Sequence, residues 1–138
     1  MLTDIGERCN TIEECYEFML AYAAQGLPSD AGSTSGGQLR EFLQSFVQAL
    51  TGLAENWETA VREAAMEPAE CYSAFFAVLD RDARDSLAAI ELVLAQPAIS
   101  SQLVDNLNAS IHLRALLTDL FLLDEILKTE RQQRGAMR

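Results

Sequence analysis

The chain has 138 residues, of which 49% are hydrophobic and 22% are charged, and its formal net charge is −11. This length fits a single domain, residues 1–138, with a core of its own. The half-apolar composition excludes a chain that is disordered throughout. The negative charge repels phosphate backbones, so we expect no nucleic-acid binding. No stretch of 18 uncharged apolar residues occurs, so we expect no membrane insertion.

The cysteines and the first residues predict a cytoplasmic protein. Three cysteines are an odd number, and their positions 9, 15 and 71 fit neither a C-x-x-C motif nor a zinc site. They therefore favour a reducing compartment over a disulfide framework. Met1 to Arg8 contains acidic residues and lacks the apolar run of a secretory signal.

The first predicted helix covers Asn10–Gln25. Its apolar residues recur at steps of three and four, which is the helical period, and Asn10 with Glu13 or Thr11 with Glu14 can form a capping box. Pro28 ends the helix. The following segment, residues 29–37 (SDAGSTSGG), predicts a flexible Gly/Ser-rich connection.

The second predicted helix covers Gln38–Met66. Its apolar seam keeps a 4-3 spacing for more than three heptads. Gly52 interrupts this seam, and we interpret it as a point where another helix crosses closely. Trp57 is the single tryptophan of the chain, and its place on the seam indicates a core residue.

The third predicted helix covers Pro68–Gln96, with proline at its first position. The charged run from Asp80 to Asp85 holds acids and arginines three and four residues apart, which allows local ion pairs on a solvated face.

The last predicted helix, Ser100–Arg131, is apolar on two sides. One face carries Leu103, Val104, Leu107, Ile111 and Ala115, and the nearly opposite face carries Leu113, Leu116, Leu120, Leu123 and Leu127. Each apolar side of such a helix must be shielded from water by another part of the protein or by a partner. Either it breaks near Asn108, where poor helix formers cluster, or it is continuous and the second leucine row meets another subunit. We favour the second alternative and predict a two-fold homodimer, with a frayed basic tail at residues 132–138.

These elements together predict an all-α fold, an antiparallel bundle of four to five helices. We find no catalytic constellation, no cofactor site and no metal site. His112 is the only histidine, and a di-iron bundle would need Glu-x-x-His pairs. An exposed helical histidine can accept a phosphoryl group, which makes His112 a candidate for phosphotransfer. Cys9 precedes the first predicted cap, and we expect it to be exposed and reactive. Cys15 and Cys71 are expected to be buried.

The function predicted from these features is a non-catalytic protein–protein interaction module, such as an adaptor, a specific chaperone or an inhibitor of the immunity-protein kind. It would self-associate through its last helix and present acidic surface to a basic protein partner. The alternative is a bundle that holds a small apolar ligand or cofactor in its core, among Phe75, Phe76, Trp57 and Met19.

Overall fold

The structure, a computed structural model, describes the backbone of residues 2–136 and the side chains of residues 4–130, 132 and 133. This part of the chain is all-helical and packs in the manner of a bundle. Its helices are α1 (Leu2–Ala24), α2 (Thr34–Leu50), α3 (Leu53–Glu63), α4 (Ala69–Leu94), α5 (Ser101–Asn108) and α6 (Ile111–Ala136). None of these described helices is both long enough and apolar enough to cross a bilayer.

The first helix begins eight residues before the predicted cap at Asn10. Ile5 is buried and lies seven residues before Ile12, so it extends the same apolar face by two turns. The guanidinium of Arg8 donates hydrogen bonds to the carbonyls of Ala49 and Thr51 at the end of α2. These hydrogen bonds hold the additional turns of α1 against α2. The capping box predicted at Asn10 or Thr11 therefore lies inside α1 and does not begin it.

The segment 29–37 is ordered by specific contacts, which corrects the prediction of a flexible connection. Ser33 is the N-cap of α2, and its hydroxyl accepts from the amide of Gly36 at 2.9 Å. The carboxylate of Asp30 accepts from the amide of Ile99 and from Arg40, each at 2.8 Å. Helix α2 therefore begins four residues earlier than the sequence predicts.

The predicted second helix is two helices, α2 and α3, that meet at Gly52. This glycine has a φ of 73°, the left-handed region that favours glycine. A Cβ built on Gly52 would meet nothing within 4 Å. The glycine is therefore required by the change of chain direction, and the interpretation as a close helix crossing is wrong.

The predicted last helix breaks between Asn108 and Ile111, which confirms the alternative of a break. Ser110 lies in the gap, and its hydroxyl accepts from the amide of Leu113 at 3.3 Å. With the division at Gly52, the described chain has six helices instead of four to five. The tail that was predicted to fray from residue 132 is helical through Ala136, and residues 137–138 lie outside the described residues.

One buried core connects all six helices. Helix α1 packs against α2, α3 and α5, and α4 packs against α2, α3, α5 and α6. The Phe18 and Phe42 rings stack at the α1–α2 contact with centroids 4.2 Å apart. Where α1 meets α5, the Tyr22 hydroxyl donates to the Ile99 carbonyl and the Ser101 hydroxyl donates to the Tyr22 carbonyl, both at 2.6 Å. These buried hydrogen bonds fix the ends of α1 and α5 together.

Candidate functional site

The leucine row of α6 belongs to the core of its own chain. Leu113, Leu116, Leu120 and Leu123 are buried, and Leu127 is partly buried against the same core. This placement corrects the expectation that the row is exposed to a second subunit. The physical reason is the break before α6, because it lets α5 and α6 each turn their own apolar face inward.

The opposite side of α6 is exposed and apolar. Ile111, Leu122 and Ile126 are 74%, 51% and 43% exposed. Steps of 100° per residue bring these three side chains, with Ala115 between them, onto one side of the helix. We call Ile111, Ala115, Leu122 and Ile126 the outer face of α6. An apolar row along one helix face is typical of an interaction surface.

A cavity of about 130 Å³ lies between α1, α3 and α6. Its floor is formed by buried apolar side chains, namely Ile5, Ile12, Trp57, Leu117 and Leu120. Its rim carries the exposed residues Asn10, Glu13, Phe121 and Asp124. The cavity is thus apolar inside and acidic at its mouth.

Trp57 lines this cavity and carries a buried polar atom without a partner. Its side chain is almost fully buried, and its Nε1–H has no hydrogen-bond partner among the described residues. A buried donor without an acceptor costs about 1–3 kcal/mol. The sequence placed Trp57 in the core and, in the alternative interpretation, beside a ligand. It did not indicate that the cavity lies between α1, α3 and α6, because the spacing within a helix does not reveal how far apart neighbouring helices lie.

Cys9 also lines this cavity, and it is less exposed than the sequence predicts. The side chain is partly buried, and burial, with the nearby carboxylates of Glu13 and Asp124, raises the pKa of its thiol to about 11. A thiol is a nucleophile only when it is ionised, so this environment makes Cys9 a weaker nucleophile than an exposed cysteine. Cys71, expected to be buried, is the exposed cysteine among the described residues, whereas Cys15 is buried as predicted.

The other aromatic and thioether residues suggested as a ligand pocket do not line this cavity. Phe76 is buried on another side of Trp57, with ring centroids 6.4 Å apart, and Met19 is fully buried in the core. Phe75 is partly buried against the same core. Of the four residues, only Trp57 lines the cavity.

His112 lies on the surface in the first turn of α6. It does not line the cavity that contains Cys9 and Trp57, and its part in phosphotransfer stays a prediction. Within the described part of the chain, no three side chains of the His, Cys, Asp and Glu types gather as metal ligands.

A carboxyl pair, the partly exposed Asp82 and the buried Asp119, joins α4 to α6 and was not predicted from the sequence. Asp119 is 6% exposed. Burial, the hydrogen bond with Asp82 and the charge of Asp82 raise the pKa of Asp119 to about 8. Near pH 6 the carboxyl group of Asp119 is therefore protonated. The sequence does contain a signal for the burial of Asp119. This residue lies three positions after Leu116 and four before Leu123, so helical spacing places it within the buried leucine row.

We expect this pair to make the protein less stable as the pH rises. The pKa of Asp119 is higher in the folded chain than in the unfolded chain, so the folded state binds more protons and stability is lost as the pH rises towards about 8. From pH 6 to pH 8.5 the free energy of unfolding should fall by about 2 kcal/mol. Asp119→Asn, a neutral isostere, should remove most of this fall in urea unfolding curves. An unchanged fall in the variant would contradict the assignment.

Comparison of the chain with models of protein families, with curated proteins and with solved structures finds no match. The outer face of α6 and the cavity beside Trp57 are therefore the candidate sites of this protein.

Proposed function

We propose that the protein is a non-catalytic interaction module, an adaptor, a specific chaperone or an inhibitor of the immunity-protein kind, that self-associates as a two-fold dimer. The observation that carries this proposal is the outer face of α6, where Ile111, Leu122 and Ile126 project from one side of a single helix. Covering such a row removes apolar surface from water at about 25 cal/mol per Å². A cytoplasmic location is part of the proposal.

The distribution of charged residues favours a second copy of the chain as the partner that covers the outer face of α6. Helix α6 carries four acidic and four basic residues, whereas 17 of the 21 acidic residues lie elsewhere. Two copies of a chain with net charge −11 repel each other, and this repulsion is weakest where the helices that meet are neutral. A two-fold contact also covers the same row on both copies at once.

An antiparallel pair of α6 helices adds a complementary charge contact. Arg114 and Glu125 lie along the same edge of the outer face of α6. Two antiparallel helices place equivalent edges side by side, so a pair centred between Thr118 and Leu122 brings Arg114 next to Glu125 of the partner subunit. Neither Arg114 nor Glu125 belongs to an ion pair identified within the described part of the chain. The proposal also includes an antiparallel bundle within the chain, which the proximity of Asp82 to Asp119 and of Tyr72 to Glu130 supports for α4 and α6.

Light scattering coupled to size exclusion tests the dimer. We expect the wild-type protein to have twice the mass of one chain and Leu122→Glu to have the mass of one chain. Leu92→Glu is the matched control, because Leu92 is 66% exposed on α4 and does not belong to the outer face of α6. This variant should remain a dimer. A monomeric wild-type protein, or a dimeric Leu122→Glu variant that is folded by circular dichroism, would overturn the proposal.

The register of the pair has its own test. Arg114→Glu and Glu125→Arg should each weaken the dimer, because each places like charges on one flank, and the double variant should regain most of the affinity. The expected effect of one exposed pair is small, about 0.2–1 kcal/mol, so analytical ultracentrifugation at low ionic strength is the suitable measurement. If the double variant loses as much dimer affinity as the single variants, this register is wrong. The proposal that the outer face of α6 forms the dimer contact would still stand.

Acidic surface outside α6 remains free in such a dimer for a basic protein partner. Net charge of this sign speeds the encounter with a basic protein, and the effect weakens as salt screens the charges. This part of the proposal rests on the net charge alone.

A further inference from the structure

We propose that the cavity between α1, α3 and α6 binds a small monocyclic amine, with its ring on the apolar floor and its ammonium group beside the carboxylates of Glu13 and Asp124. This inference does not rest on the proposed dimer, because the outer face of α6 does not line the cavity.

The volume and the walls of the cavity define the apolar part of the ligand. A cavity of about 150 Å³ with aliphatic and aromatic walls binds benzene, and the cavity here measures about 130 Å³. It therefore suits one six-membered ring. The buried side chains of Ile5, Ile12 and Leu117 supply apolar contacts to such a ring. Phe121 also lines the cavity and is 62% exposed, so a bound ring would shield apolar surface that otherwise meets water.

Two carboxylates from different helices define the charge of the ligand. Glu13 of α1 and Asp124 of α6 both line the cavity, and both are exposed. They act on the same group in its wall, because burial, followed by the charges of Glu13 and Asp124, raises the pKa of the Cys9 thiol to about 11. The two carboxylates therefore lie near one point of the wall. An ammonium group at this point is attracted by both, whereas an anion is repelled.

These carboxylates are available to a ligand. Asp124 contacts Lys128, one turn later, at 3.4 Å, but the two side chains are 64% and 60% exposed. Such an exposed pair on a helix is weak, so a bound ammonium group can replace it. Glu13 has no ion pair identified within the described part of the chain. Lys128→Ala should therefore raise the affinity for the amine, by about twofold, because it frees Asp124.

Three molecules of similar shape separate the contribution of the ring from that of the charge. Benzylamine supplies one ring and one ammonium group, benzyl alcohol has a neutral hydroxyl in place of the ammonium group, and benzoate is an anion. Titrations of ¹⁵N-labelled protein follow the backbone amide signals of Gly6 and Leu120, which line the cavity on two helices.

Benzylamine should shift these signals in a saturable manner with a Kd of about 1 mM or lower. At low ionic strength benzyl alcohol should bind about fivefold more weakly, and benzoate at least about tenfold more weakly, than benzylamine. Added salt should bring the three affinities closer together, because the carboxylates are exposed to solvent.

Removal of the two carboxylates tests the charge. Glu13→Gln combined with Asp124→Asn should weaken benzylamine binding about fivefold and leave benzyl alcohol binding unchanged. The unchanged affinity for the alcohol shows that the cavity is intact. Glu17→Gln combined with Asp85→Asn is the matched control, because it removes the same two charges at exposed positions that do not line the cavity. This control should bind benzylamine as the wild-type protein does.

Filling the cavity tests the location. Cys9→Phe places a ring in the cavity and should abolish benzylamine binding, whereas Cys71→Phe, the same change at an exposed position, should leave it intact. Circular dichroism checks that both variants are folded. The proposal is overturned if about 20 mM benzylamine produces no saturable shift in the folded wild-type protein. It is also overturned if binding persists in folded Cys9→Phe, or if benzyl alcohol binds as tightly as benzylamine at low ionic strength.

Discussion

Replacing Arg40 by alanine should lower the free energy of unfolding by about 2–4 kcal/mol. Its guanidinium donates to Asp30 at 2.8 Å, to the Leu94 carbonyl at 3.0 Å and to the Gln96 carbonyl at 2.8 Å. One side chain thus joins α2 to the segment before it and to the end of α4, where a cation also suits the negative end of the helix. The Arg40 and Asp30 side chains are 34% and 13% exposed, so removal of Arg40 leaves a largely buried carboxylate without its cation.

Arg84→Ala is the matched control for this prediction. Arg84 pairs with Asp80 at the same distance of 2.8 Å, yet these side chains are 74% and 46% exposed. An exposed pair one turn apart on a helix is worth only about 0.3–0.5 kcal/mol. Urea unfolding followed by circular dichroism measures both variants. Equal losses for Arg40→Ala and Arg84→Ala would show that the buried network contributes nothing beyond a surface pair.

The hydrogen bonds of Asp30 are expected to weaken in acid. The amide of Ile99, followed by the side chain of Arg40, holds the pKa of this carboxyl below its usual value. A carboxyl with a lowered pKa in the folded state contributes stability above its unfolded pKa and loses it as the pH falls. The difference in stability between the wild-type protein and Arg40→Ala should therefore narrow in strong acid.

Gly36→Ala and Gly37→Ala should have opposite effects, although the two glycines are neighbours in the first turns of α2. A Cβ on Gly36 would overlap the backbone carbonyl of Asp30, whereas a Cβ on Gly37 meets nothing within 4 Å. Because Asp30 is fixed by Arg40 and Ile99, the backbone cannot move aside at low cost. We expect Gly36→Ala to destabilise the protein by about 3 kcal/mol.

Gly37→Ala should stabilise the protein by about 0.5–1 kcal/mol, because alanine is the better helix former at an open helical position. Thermal and urea unfolding of the two variants, made in parallel, separate the effect of close approach from that of helix propensity. If both variants gain or lose stability by the same amount, the contact between Gly36 and Asp30 does not constrain the fold.

The breaks in the helices show how far local sequence reaches. The apolar seam of the predicted helix Gln38–Met66 continues through Gly52 without a fault in spacing, because α2 and α3 both face the same core. Gly52 permits a positive φ at this position, but the spacing of apolar residues does not show that the chain adopts it and divides the helix there. At Asn108 the change of apolar face indicated a break as one of two alternatives, because α5 and α6 turn different sides inward. The alternative that we favoured, a continuous helix, is wrong.

The candidate sites were less predictable than the helices. Trp57 and Cys9 were singled out from the sequence, and the structure brings both to one cavity. Their interpretation changed, because burial and neighbouring carboxylates set the properties of Cys9. Asp30, Arg40, Asp82 and Asp119 were not singled out, since their partners lie far away in the chain and spacing along one helix contains no information about contacts between helices.

The all-helical fold class and the rows of apolar residues are predictable from local sequence, because both follow from the helical period of 3.6 residues. The two apolar sides of the last predicted helix are visible in the same way. Which of these sides is buried depends on tertiary packing. Both rows are apolar, and which of them is buried depends on where α4 and α5 lie. The row from Leu113 to Leu123 is therefore core, and Ile111, Leu122 and Ile126 are surface.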